Sequence, residues 1–258
     1  MRLMKRILSA AAVLALSASL LVGCSSGTAS SVPVSASSAA ESTVSSVEET
    51  ASSAVDENEA AAAQLLNDLT GSYQELWPVI LADEYKQTWL DVCTALVGED
   101  NAEAAFEKLS SMVTGDVYGE DAVEAYANGG GAYFCGFTND LAILTFDGET
   151  STISGTDKDG NVLFSHTYHY IGMEPVRGLY EFQSDDADSG EFTYFFLAPD
   201  TSAETYHIEF RYGSDAEALS QYDTGEYAYW LASGISTDCD QTMIDNCIEL
   251  FCTENLAG

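Results

Sequence analysis

The chain has 258 residues, with 42 Asp and Glu against eight Lys and Arg, for a formal charge of −34 at neutral pH. Such a surface repels nucleic acid and anionic lipid, which excludes binding to a phosphate backbone. Acidity by itself signals solubility, not a metal site.

Arg2, Lys5 and Arg6 precede an apolar run, Ile7 to Val22, which closes in Leu21-Val22-Gly23-Cys24. A basic start, an apolar middle and small residues before the cut describe a secretory leader. The run is shorter than the ~20 apolar residues of a membrane span. Its last four residues match the lipobox of bacterial lipoproteins. Residues 1–23 are therefore expected to be a signal peptide, with Cys24 as the lipid-modified first residue of the mature chain. The mature protein is expected on the extracytoplasmic face of the cell membrane, attached through its lipid only, where thiols can oxidise. The leader removes three of the eight basic residues and no acidic ones, leaving five against 42 and a charge of −37.

From 24 to 60 the composition is dominated by Ser, Ala, Val, Thr and Glu, without an aromatic or basic residue. It cannot bury enough apolar area to offset the entropy of ordering, so a disordered tether is expected, spanning about 30–35 Å. Residues 61–258 hold all 14 tyrosines, 11 phenylalanines and three tryptophans. That is enough for one well-cored domain.

The first third of this domain reads helical: Ala60–Leu69, Asp83–Val97 with its stripe Tyr85, Trp89, Val92 and Leu96, then Ala102–Val113 and Glu120–Ala127. After Asn128-Gly129-Gly130-Gly131 the period changes to two. Predicted strands are Ala132–Phe137, Leu141–Phe146, Thr152–Gly155, Val162–Ile171, Gly178–Gln183, Phe192–Ala198 and Tyr206–Tyr212, separated by Asp-, Asn- and Gly-rich turns. A helix from Cys239 to Leu256 ends the chain. Short turns between regular strands predict a mainly β fold, an antiparallel meander closing into a barrel or sandwich, flanked by N-terminal helices and a C-terminal one.

The order of segments is similar to that of the ZinT family, including the C-terminal domain of AdcA-type zinc-binding lipoproteins. Gly71-Ser-Tyr-Gln-Glu-Leu-Trp-Pro78 with Leu81 resembles its opening, and Tyr118 to Tyr126 with Gly129 its next helix and turn. Thr167-Tyr-His-Tyr170 with Gly172 resembles the central strand. Val176 to Phe182 with Asp186 to Phe192 resembles the following hairpin, and Ala203 to Phe210 the metal-site strand. The resemblance implies a lipocalin-like (calycin) barrel that binds zinc, with cadmium as a second metal, and delivers it to a metal importer. Family members hold zinc mainly through three histidines, at positions matching Asp200, Thr205 and His207; only His207 keeps the imidazole.

On a strand, Thr205, His207, Glu209 and Arg211 share one face. If that face meets the barrel mouth, His207, Glu209 and a nearby Asp200 make a candidate ligand set, with Thr205 a poor fourth member. Zinc sites normally use three or four protein ligands, and carboxylates in place of imidazoles shift preference toward harder ions such as Mn²⁺ or Ca²⁺. The alternative is that His207 is a half-exposed strand residue, with Arg211 neutralising Glu209. His166 and His169 have opposite parity on one strand, so at most one can join His207; His166 is the candidate.

Cys93, Cys135, Cys239, Cys247 and Cys252 permit two disulfides and one thiol, in pairings the sequence does not specify. No nucleophile elbow, His-Glu-x-x-His or phosphate loop is present, so an enzyme is not expected. A metal-free barrel binding a small organic ligand or protein partner is the competing reading, suggested by aromatic strands carrying Phe164, Tyr168, Tyr180, Phe195 and Phe196.

Overall fold

The computed structural model describes residues 57–198 and 207–256. The leader, Cys24, most of the 24–60 segment, Asp200 and Thr205 lie outside the described residues. Asn58–Gly258 form one compact unit.

Eight antiparallel strands close into a barrel in sequence order. They are β1 (Gly71–Glu75), β2 (Ile143–Asp147), β3 (Thr152–Thr156), β4 (Val162–Met173), β5 (Tyr180–Ser184), β6 (Tyr194–Leu197), β7 (His207–Gly213) and β8 (Ala232–Ser236). Closure is made where β1 pairs with β8, Tyr73 opposite Ser236 and Glu75 opposite Gly234. Of the barrel and the sandwich that the strand pattern allows, the chain forms the barrel, flanked by helices and lipocalin-like as the family resemblance implies.

Alternation puts every second side chain inside. Tyr73, Leu144, Phe146, Ile153, Phe164, Tyr168, Phe182, Phe195, Ile208, Phe210 and Tyr212 form one buried cluster. Phe164 stacks on Phe192 with ring centroids 3.9 Å apart, and Phe195 meets Tyr212 at 5.3 Å. Rings therefore fill the interior. Helix α1 (57–68) contributes Ala62, Leu65 and Leu66, with Leu69 just after it; this stripe at helical spacing joins the barrel core.

A second core lies on the outer wall. It is built from Ile235 of β8, Leu76, Trp77 and Ile80 of α2 (Leu76–Ile80), and Trp89 and Cys93 of α3 (Lys86–Val97). Ala102, Ala105 and Leu109 of α4 (Glu99–Val113) add to it, as do Ile244, Cys247, Ile248 and Cys252 of α7 (Gln241–Leu256). Two further α-helices, α5 (Glu120–Ala127) and α6 (Ala216–Leu219), and two 3-10 turns, Asp83–Tyr85 and Gly190–Phe192, complete the described elements.

One predicted strand is absent. Residues 132–137 make only isolated bridges, Phe134 with Thr114 and with Trp230. Scattered backbone hydrogen bonds to residues 112–115 and 229–233 hold the segment, and side chains from in and beside the barrel add to them. The Phe137 amide donates to Glu75 Oε1 at 2.6 Å, the Thr138 amide donates to Tyr212 Oη at 2.6 Å, and Trp230 Nε1 donates to the Gly136 carbonyl at 2.9 Å. The segment is a strap across the barrel, and β1 and β8 take the places that complete the ring.

Candidate functional site

β7 alternates as predicted, but its polar face points away from the interior. Ile208, Phe210 and Tyr212 belong to the barrel core. His207 and Glu209 line a small cavity on the outer wall, with Leu76, Trp77 and Ile80 of α2 and Cys247, Leu250, Phe251 and Glu254 of α7. The expected placement at an open rim is therefore corrected: the pair lies beneath two packed helices. The reason is parity, since a strand that turns three large apolar side chains inward must turn the intervening residues outward.

The cavity measures about 30 Å³, roughly the share of liquid volume of one water molecule. It suits a single ion or water, not an organic molecule. His207 and Glu209 are both half-buried, and burial together with the Glu209 carboxylate pushes the neighbouring Cys135 thiol up to about 12. Among the described residues, no three His, Cys, Asp or Glu side chains are grouped so as to hold a metal ion.

His166 does not join the pair. Strand register places Met173 beside Tyr180, Tyr180 beside Leu197 and Leu197 beside Phe210, so His207 lies toward that end of the sheet. His166 lies at the other end, beside the β5–β6 turn, where its Nδ1 is 2.7 Å from Asp186 Oδ2. His169 points to the opposite face, as parity predicts, and its Nδ1 is 2.6 Å from Asp185 Oδ1. The acidic turn thus holds the two β4 imidazoles. Asp157 caps its own hairpin by accepting from the Asp159 and Asn161 amides and the Asn161 side chain. The Asn161 amide group above all holds its carboxyl below the ordinary range.

Arg211 does not act as the sequence suggests. Its Nη1 donates to the Leu219 and Gln221 carbonyls and its Nη2 to the Tyr227 carbonyl. The guanidinium also lies 4.4 Å from the centre of the Tyr222 ring. Desolvation brings it down to about 10.

Sequence reasoning missed the α2 and α7 lining, because Trp77, Cys247 and Glu254 carry no ligand spacing relative to β7. Trp77 also borders a second cleft of about 320 Å³, lined by Glu75, Leu81, Val113, Phe134 and Cys135 among others. Its indole N–H is buried without a hydrogen-bond partner.

Neither a family model nor a curated protein matches the chain. Among solved structures it is similar to the Zn(II)-bound ZinT-like domain of Streptococcus pneumoniae AdcA. That match is 16% identical over 71% of this chain and 89% of that one, with a TM-score of 0.45. It is also similar to Zn(II)-bound AdcA of the same organism, at 15% identity over 72% of this chain, with a TM-score of 0.42. It spans 35% of the length of that AdcA chain.

Proposed function

We propose that the chain is a lipid-anchored, extracytoplasmic protein that binds a divalent cation as cargo and passes it to a metal importer. Cys24 carries the lipid. His207 supplies a nitrogen donor, Glu209 and Asp200 supply oxygens, and zinc is the first metal to test. The supporting observation is the convergence of His207 and Glu209 on a cavity of ionic size. The family resemblance of the β7 segment points the same way. The role is binding, not catalysis.

Imidazole ligates only when neutral, so affinity falls as pH drops through the ordinary histidine range near ~6.5. Zinc titrated into the leaderless chain tests the reading. His207→Ala is expected to weaken binding by more than the ~10–100-fold that a supporting residue contributes. Equal, weak, salt-sensitive binding in both proteins would reduce the effect to the diffuse acidic field.

The 320 Å³ cleft favours a second reading, a small and largely apolar molecule. Ligand sites begin at about that volume. Native mass spectra of the same samples separate the two, since a bound organic mass supports the cleft and a bound metal supports His207.

A further inference from the structure

α7 forms one wall of the His207 cavity, and the same helix packs against α3. Cys252 of α7 and Cys93 of α3 are fully buried, with their sulfurs 4.0 Å apart. Both stand on buried helical stripes, Trp89 and Cys93 on α3 and Ile244, Ile248 and Cys252 on α7. Phe251 packs against Trp89 with ring centroids 6.0 Å apart, which holds the two helices face to face. The other three thiols are placed differently: Cys247 lines the cavity, Cys135 packs near Trp77 and Ser233, and Cys239 lies near Tyr85 at the edge of the second core.

We propose that Cys93 and Cys252 become a disulfide once the chain is exported, a covalent staple between α3 and α7 that fixes the outer wall of the His207 cavity. The proposal rests on the export reading and is independent of metal binding. A disulfide needs its sulfurs about 2.05 Å apart, so each has to move by about 1 Å, within the reach of small side-chain adjustments.

The oxidant is an external disulfide, either a thiol–disulfide oxidoreductase or an oxidised low-molecular-weight thiol. One cysteine, as its thiolate, attacks that disulfide, forming a mixed disulfide and releasing one external thiolate. The second cysteine then attacks the protein sulfur of the mixed disulfide. This closes the Cys93–Cys252 bond and releases the other external thiolate. Two protons pass to solvent, and the oxidant gains the two electrons that the cysteines lose. Burial raises both thiols above the ordinary range. Thiolate is therefore scarce in the packed state, and oxidation belongs to folding or to a transient opening of α7.

The bond joins positions 159 residues apart. A loop of that length lowers the unfolded population by roughly five-thousandfold in the chain-entropy account. The full chain recovered from its host envelope, alkylated at lysis and digested without reductant, should yield the Cys93 and Cys252 peptides joined and lighter by two hydrogens. Urea unfolding of this form should show a higher midpoint that reduction reverses. The same chain made in a reducing cytosol and then treated with oxidised glutathione should form the same link. Alkylation of both cysteines in both samples, or joining to other cysteines, overturns the pair. A link formed only in the glutathione sample overturns oxidation on export while leaving the geometry standing.

Discussion

Arg211 has no exposed surface, and its charge is held by three backbone carbonyls and an aromatic face rather than by the neighbouring Glu209. The carbonyls all come from residues 219–227, the segment that follows β7. One guanidinium fork therefore organises a stretch with little regular structure of its own. Removing it leaves three acceptors to find new donors, at ~1–3 kcal/mol for each that stays buried. Deleting a buried charge recovers part of its desolvation penalty. The expected net loss for Arg211→Met is about 3 kcal/mol, read from urea unfolding followed by the fluorescence of Trp230. Arg211→Lys should recover only a fraction, because a single ammonium cannot reproduce the planar fork. A Met variant as stable as wild type would mean that the segment folds without this anchor.

At the scale of elements, the strap depends on a glycine at its approach. A Cβ built on Gly115 would come within 2.4 Å of the Ala132 carbonyl oxygen and 2.8 Å of the Tyr133 carbonyl carbon. Both are backbone atoms, so the clash cannot be relieved by a rotamer. The Gly115 amide also donates to the Tyr133 carbonyl at 2.9 Å, and the Tyr133 amide to Met112 at 2.8 Å. Gly115→Ala is expected to cost about 1–3 kcal/mol, the range for overpacking. Faster amide exchange at Gly115 and Tyr133 than at β4 would place the damage. Uniform exchange across the molecule would show that the strap is not a local unit. The strap also shows where legibility ended. Its alternation reads as a strand, yet Glu75, Tyr212 and Trp230 fix its backbone from positions far away in sequence. β1 was missed because only Tyr73 among its five residues is buried. β8 was missed because Ala232-Ser-Gly-Ile-Ser236 is small and buried on both faces, leaving no period of two. Strands β2 to β7 and helices α1, α3, α4, α5 and α7 were legible, each from alternation or from helix-forming composition and stripes. The shared face of His207 and Glu209 was legible too. Which way it pointed was not, because parity relates neighbours to one another and says nothing of which side becomes the core.

Across the whole molecule, a charge of −34 sets two salt effects with opposite consequences for binding and stability. Like charges crowded onto a compact surface repel one another and favour the expanded chain. Raising monovalent salt from ~0.01 to ~0.15 M shortens the screening length from about 30 Å to about 8 Å. The urea midpoint should therefore rise over that range, before any divalent metal is added. The same screening weakens the loose atmosphere of divalent cations that any such surface gathers. It acts much less on an ion held between His207 and Glu209, where the helices exclude most of the solvent. Zinc titrations at the two salt levels should lose their weak, multiple-site phase and keep a tight phase that His207→Ala removes. If the tight phase fades with salt as steeply as the weak one, the acidic field alone accounts for metal uptake. A midpoint that falls with salt would instead mean that attractive pairs such as His169–Asp185 outweigh the self-repulsion.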